Sequence, residues 1–548
     1  MEIGLFNTES GYGKTGQQGF GGIDRRKAAA DGSIREMRNL TSLNYPLLSV
    51  RPRRRLIRQF SGNPNGLFAH DKICYVDGTR FFYDGQYKGD VADSPKQLVS
   101  LGERIIIFPD KAYYNARIDE FGQLEASYIS APNAVQFMNG TRFGEPADRN
   151  TLYDASVNFL EYFRVADAIN ISGCTIHPEN NLQSLIIREI SEDGHSLSFQ
   201  ENVFVLDGAE KNEDYTEPGE ITMERRVPDV EYVIGVQNRI WGATGDDIYA
   251  SRLNDPFNWY NTENDDGAFG AVSLDVGDFT GAAVYNNMPI FFKEKSITRV
   301  YGTKPTNYQT QTTEAAGILH GSGASVINVR GTLYYLSSTG LAAYAGGIPS
   351  LTDAPLDNRS YDKALSGTDG ITWYISCYEN EQKVLLIYDT LNNCWQKEDE
   401  LDVLVFANIG MRKLYALTAA GELLLIGDRS AELSDGTLLS TPIDWFVEFG
   451  DFAGDSINHK SIRKIQIRAE LDVGSSITLK IKFDARGDWE TVRDIDYDKK
   501  RTYTAALPQT RCDTYSLRIE GLGGAVIYAL TQDVKGSSEN RRLPGERY

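Results

Sequence analysis

Thr332-Leu-Tyr-Tyr-Leu-Ser-Ser-Thr-Gly-Leu-Ala-Ala-Tyr-Ala-Gly346 sets an aromatic-rich run against a second apolar run across a polar turn. The same unit recurs at 289–302, at 372–377 with 384–389, and at 413–427. Aligned on Phe292, Tyr334, Tyr374 and Tyr415, the units step by 42, 40 and 41 residues. Strand-turn-strand units at a period of about 40–50 residues are the pattern of β-propeller blades. One blade cannot bury both of its faces, so such units must stack. Further hairpins read at 72–85, with a turn at Asp77-Gly78, at 104–115 and at 239–251. The count is seven, and the expectation is an all-β chain built on a six- or seven-bladed propeller.

The spacing between hairpins then locates an insertion. Ile106 to Trp241 is far more than one blade step, and the excess carries strand patterns of its own at 168–172, 185–190, 196–199 and 203–206. The reading is a propeller begun at 61–118, an inserted small β-domain at 119–228 and a propeller resumed at 229–435. Past Gly427 the pattern changes to alternation of apolar and polar residues, as in Ser461-Ile-Arg-Lys-Ile-Gln-Ile-Arg-Ala-Glu-Leu471 and 476–483. Strands with one wet and one buried face, closely spaced, predict a C-terminal β-sandwich over 440–535. Residues 536–548 have the composition of a tail.

Composition bounds the function. The 548 residues carry 24% charged side chains, and no apolar run reaches the ~18–20 residues of a membrane helix, so no membrane insertion is expected. The start shows neither a basic leader nor an apolar segment, so no secretory signal is expected. Five scattered cysteines lack metal-site spacing and read as reduced structural thiols. The net charge is −20, but residues 21–60 hold ten basic residues against Asp24, Asp31 and Glu36. That stretch is +7 and the rest of the chain −27. Such asymmetry points to docking between unlike surfaces, and the acidic bulk argues against a tight general grip on nucleic acid. Residues 1–60 therefore read as an extended N-terminal docking arm. Its contact residues are expected to be Arg25, Arg26, Lys27, Arg35, Arg38, Arg51, Arg53, Arg54 and Arg55.

Chemistry-bearing motifs fail on inspection. Gly13-Lys14-Thr15 resembles the end of a phosphate-binding loop, yet the required upstream glycine is Thr8. Ser191-Glu-Asp-Gly-His lacks the spacer and tryptophan of a sialidase Asp-box. The oxygen-rich run Asn254 to Asp266 lacks the ordered spacing of a calcium loop and reads as a surface turn cluster. No catalytic residue, metal site or cofactor is expected, and the chain is read as no enzyme.

Several segments carry a family likeness. Gly21-Gly-Ile-Asp-Arg-Arg-Lys, closing through Asn39-Leu-Thr41 and Tyr45-Pro-Leu-Leu-Ser-Val-Arg-Pro-Arg53, resembles the opening of tailed-phage virion proteins of the tail-nozzle and packaged-DNA-stabilisation type. Asn238-Arg-Ile-Trp-Gly242, Asn258-Trp259 and Ile290-Phe-Phe-Lys-Glu294 are similar to their propeller segments. Lys464-Ile-Gln-Ile-Arg468 and Asp488-Trp-Glu490 are similar to their terminal sandwich. The resemblance implies a structural protein of a bacteriophage neck or tail, assembled in the host cytoplasm and located in the virion. It implies a homo-oligomer, a hexameric ring in the usual case, meeting portal, adaptor or other tail proteins. Double-stranded DNA would pass through transiently as it is retained or delivered. The alternative is a receptor- or glycan-binding propeller at the tail tip or on a fibre.

Overall fold

The computed structural model describes residues 13–142, 145–357, 359–410, 413–428, 442–453, 459–498, 501–508 and 510–536. Residues 1–12 of the expected arm and 537–548 of the expected tail lie outside the described residues. Among the described residues the chain is all-β and contains seven four-stranded antiparallel sheets. Six are contiguous meanders, at 64–90, 97–123, 232–272, 281–314, 327–351 and 361–397. The seventh takes three strands from 403–428 and its outer strand, Arg53–Gln59, from the other end of the chain. Each of the seven hairpins legible in the sequence is the central pair of one of these sheets.

The chain divides into two compact units, 61–331 and 1–60 with 332–548. In the first, the opening strands of successive sheets lie side by side: Pro64–Ala69 beside Gln97–Leu101, then Tyr232–Val236, then Gly281–Tyr285. The sheets also pack face to face. Cys74, Val76 and Phe81 meet Ile105, Ile107 and Tyr114. Ile106 and Phe108 meet Ile240 and Trp259, and Trp241 and Ala243 meet Phe279, Phe291 and Val300. Burial on both faces explains why these strands read as unbroken apolar runs such as Ile105-Ile-Ile-Phe108 rather than alternating ones. This side-by-side, face-to-face order is that of propeller blades.

The insertion leaves the second sheet after Gln123, the end of its outer strand, and forms an eight-stranded sheet from Ala126 to Arg225. Its core gathers Phe137, Phe159, Phe163, Phe199 and Phe204. A buried polar joint ties it to the third sheet's loop. Asp167 pairs with Arg225 and accepts from Asn258 Nδ2 at 3.0 Å, while Asn261 Nδ2 donates to the carbonyl of Ala166 at 2.8 Å.

In the second unit the opening strands Tyr361–Thr368 and Val403–Asn408 are neighbours. The C-terminal part is two packed sheets. One is led by the long strands Lys460–Leu471 and Ala525–Gly536, the other by Asp444–Phe452, Tyr515–Leu522 and Ser476–Phe483. Their inward residues alternate as the sequence pattern requires: Ile465, Ile467 and Ala469 on one side, Ile477, Leu479 and Ile481 on the other.

The N-terminal segment differs from its sequence reading. The described part of the expected arm does not extend away from the body. Gly13–Gln17 pairs with Ala525–Gly536, Leu48–Val50 extends the same sheet, and Ile34–Arg38 edges the other on Asp444–Phe452. Phe20, Ile34, Met37, Leu40 and Leu48 are buried, each worth about 2 kcal/mol of transfer free energy. The density of arginines hid this short apolar set, whose strict alternation is broken by a bulge between Ile34 and Glu36.

Hydrogen exchange on the full chain checks this. Bonded amides of Ile34–Arg38 and Arg53–Gln59 are expected to exchange slowly, together with those of Asp444–Phe452 and Glu422–Asp428. Complete exchange of the N-terminal strands in seconds, while their partners stay protected, would contradict the assignment.

Candidate functional site

The basic segment was the sequence-based site, and its geometry is a clasp on the outer strand Cys394–Lys397 of the sixth sheet. Gly22 lies so close to this strand that a Cβ would stand 2.2 Å from the carbonyl oxygen of Trp395, so only glycine fits. The Ile23 amide then donates to that carbonyl at 2.7 Å, and the Arg25 amide donates to the carbonyl of Pro355 at 2.7 Å. The contact delivers the Arg25 side chain into a buried slot. Its guanidinium donates to Glu379 Oε1 at 2.7 Å and to Glu36 Oε2 at 2.7 Å. Arg359 and Lys397 approach Glu379 at 3.5 and 3.7 Å. Burial disfavours the Arg25 charge, but the two carboxylates more than offset it, and its pKa is raised.

A second cluster lies further along the same strand and its continuation. Arg54 donates to Glu398 Oε2 at 2.6 Å and to both oxygens of Asp399 at 2.8 Å. Arg51 donates to Asp399 Oδ2 at 3.2 Å. Burial pulls both guanidiniums down. In Arg54 the carboxylates win and the pKa rises, whereas the adjacent Arg54 charge leaves Arg51 lowered. Burial would raise Asp399, but Arg54 and Arg51 hold it below the ordinary carboxylate value. Asn39 locks the corner in a left-handed conformation (φ 57°) that asparagine tolerates. Its Nδ2 donates to the carbonyl of Asp444 at 2.8 Å and its Oδ1 accepts from Arg51 Nε at 2.8 Å.

The nine predicted contact residues thus divide. Arg25, Arg51 and Arg54 pair with carboxylates of their own chain. Arg38 reaches Glu400 at 2.9 Å, Arg26 pairs with Asp24 at 2.7 Å, and Arg35 donates to the carbonyl of Asp24 at 3.0 Å. Lys27 and Arg55 are exposed and Arg53 half-buried. Sequence reasoning missed the partners Glu379, Glu398 and Asp399. The run Glu398-Asp-Glu400 was visible as the complement of Arg53-Arg-Arg55.

A second feature lies at one end of the fourth sheet, where the loop 273–280, the turn 293–295 and the segment after Gln309–Glu314 enclose a cleft of about 810 Å³. Asp275, Asp278, Glu294 and Glu314 line it, against Lys295 and His320. The loop's base is fixed: Lys293 Nζ, almost fully buried, donates to Asp246 Oδ1 at 2.6 Å and to the carbonyl of Asp275 at 2.7 Å. Its tip is bare, with Leu274 and Val276 each 96% exposed.

The remaining candidate chemistry is structural. Asp265 and Asp266 of the oxygen-rich run pair with Lys304 and Arg252 at 2.7 Å. Among the described residues no group of three His, Cys, Asp or Glu is placed to hold a metal ion. All five cysteines are free and buried, and burial pushes Cys74 and Cys174 up to about 12. Among the described residues no helix is long and apolar enough to cross a membrane.

No family model matches the chain, and no curated protein matches it. Solved structures it is similar to include an exo-β-1,3-galactanase from Phanerochaete chrysosporium (8% identity, TM-score 0.22, 53% of this chain and 93% of that one). Others are an exported protein from Bacteroides fragilis (8%, 0.26, 74% and 97%) and a family 43 arabinoxylan arabinofuranohydrolase from Bacillus subtilis (9%, 0.18, 87% and 96%). Superpositions this loose carry no argument about what the chain does.

The clasp predicts an acid-labile unit. A carboxylate lowered on folding stabilises the chain above its unfolded pKa, and that stability is lost as pH falls through the folded value. Asp399→Asn is expected to cost about 3 kcal/mol at neutral pH, as for a buried pair losing one partner. Its melting temperature should then fall less steeply below about pH 4 than that of the parent chain. Equal slopes in both would contradict the pairing.

Proposed function

We propose that this chain is a structural virion protein of a tailed-phage neck or tail, working as a ring of copies that forms part of the conduit for packaged DNA. The observation that carries the reading is where the family-like residues sit. Gly22, Ile23, Arg25, Asn39 and Leu40 are the ones that seat the N-terminal segment against the sixth sheet and the sandwich. Residues that seat one part of a chain on another act as a scaffold rather than as a reactive centre.

Electrostatics supports the same reading. The basic stretch is largely neutralised by carboxylates of its own chain, inside a molecule of net charge −20. DNA carries one charge per about 1.7 Å, and a wall of like sign within a Debye length of about 8–10 Å lets it slide without gripping. The reading assigns no catalytic step to the chain. A receptor- or glycan-binding propeller is the competing reading and makes a different particle.

Electron microscopy of the purified chain and of particles carrying it decides between them. A ring with an axial channel of at least about 20 Å, the width of a duplex, is expected, with no retention of duplex DNA at physiological salt. A trimer on a fibre, or a monomer that binds oligosaccharide, would overturn the proposal.

A further inference from the structure

The cleft at one end of the fourth sheet holds polar groups that the chain's own packing leaves unanswered. Ser296, only 7% exposed, lines it with an Oγ that has no hydrogen-bond partner. Asp275 Oδ2 is likewise buried without a donor. A polar atom withdrawn from water and left unbonded is costly, so two of them in one cleft point to a ligand that bonds them. Both positions are fixed. Lys293 Nζ donates to the Asp275 carbonyl at 2.7 Å, and Ser296 pairs with Glu314 in the sheet.

The charges of the lining select the kind of ligand. Asp275, Asp278, Glu294 and Glu314 stand against Lys295, so with His320 neutral the lining is −3 (four carboxylates less one ammonium). A cleft of one sign concentrates ligands of the other. A metal ion needs its carboxylates gathered on one point, and among the described residues no such group of three exists. Here they come from three separate segments around about 810 Å³, with the apolar Val276 in the same lining. Negative charges spread around a cleft with an apolar side chain between polar ones match a chain of ammonium groups spaced by methylenes.

We propose that this cleft binds a linear polyamine of the spermidine class. Such a triamine supplies the positive charge that the lining lacks, because alkylammonium groups keep their protons up to about pH 10.4, as lysine does. One ammonium donates to Asp275 and to Ser296 Oγ, another meets Glu314, and the methylenes lie on Val276. The inference stands on the cleft alone and is independent of the ring reading above.

Calorimetric titration of the full chain with spermidine at physiological salt is expected to show saturable one-to-one binding with a Kd below about 1 mM. Ser296→Ala should weaken it about fivefold while the melt of the free chain stays unchanged or rises, since an unbonded buried oxygen is removed. Asp275→Asn with Glu314→Gln should weaken it about tenfold or more, through lost charge-assisted hydrogen bonds. Should that pair misfold, Asp278→Asn with Glu314→Gln replaces it. Magnesium and N-acetyl-lysinamide are each expected to bind about tenfold more weakly than spermidine, having fewer charges or donors to place. Magnesium binding as tightly would mean attraction of any cation, and N-acetyl-lysinamide binding as tightly would mean a site for a lone lysine side chain; either overturns the proposal. So does a titration without saturation, or spermidine binding that Ser296→Ala and the carboxylate variants leave unchanged. A lower melt for Ser296→Ala would show its Oγ already bonded within the chain, which removes the basis of the site.

Discussion

The pairing of the N-terminal arginines with carboxylates of their own chain is the constraint on which the second compact unit depends. Arg25 is buried between Glu36 and Glu379, and Arg54 against Glu398 and Asp399. Buried charges are tolerated only when paired and hydrogen-bonded, so these contacts fix the path of the chain more than they add net stability. With that path set, the apolar residues Ile34, Met37, Leu40 and Leu48 fall onto the sandwich core, and Arg53–Gln59 completes the seventh sheet. One segment thereby joins both ends of the sequence into a single folded unit.

This arrangement changes what the charge distribution means. A +7 stretch in an acidic chain invites the idea of an arm reaching for a neighbour. The structure instead uses the arm as mortar between its own sheet and its own sandwich. What stays exposed is different in kind: an apolar loop tip beside an acidic cleft.

Sequence patterns revealed the elements formed by neighbours in the chain. The aromatic hairpins at 72–85 through 413–427 are each the centre of a four-stranded sheet, because a tight turn makes pairing local. The alternation in 461–471 reported a one-sided strand faithfully. The outer strands were harder to see: Gln86–Asp90 and Ser350–Leu351 are short and polar, with little periodicity to read. Arg53–Gln59 was hidden for another reason. Its partner Glu422–Asp428 lies over 360 residues away, and pairing at that range leaves only charge complementarity in the sequence. The cleft at Asp275 had no sequence signal, since its walls come from three separate loops.

A double-mutant cycle between Arg25 and Glu379, measured by equilibrium unfolding of the full chain, tests the central claim most directly. The account predicts that Arg25→Met and Glu379→Gln are strongly non-additive, with a coupling of about 1.5 kcal/mol or more. Additive single effects would mean that the two side chains do not meet, and that the arm's path is set by something other than its charges.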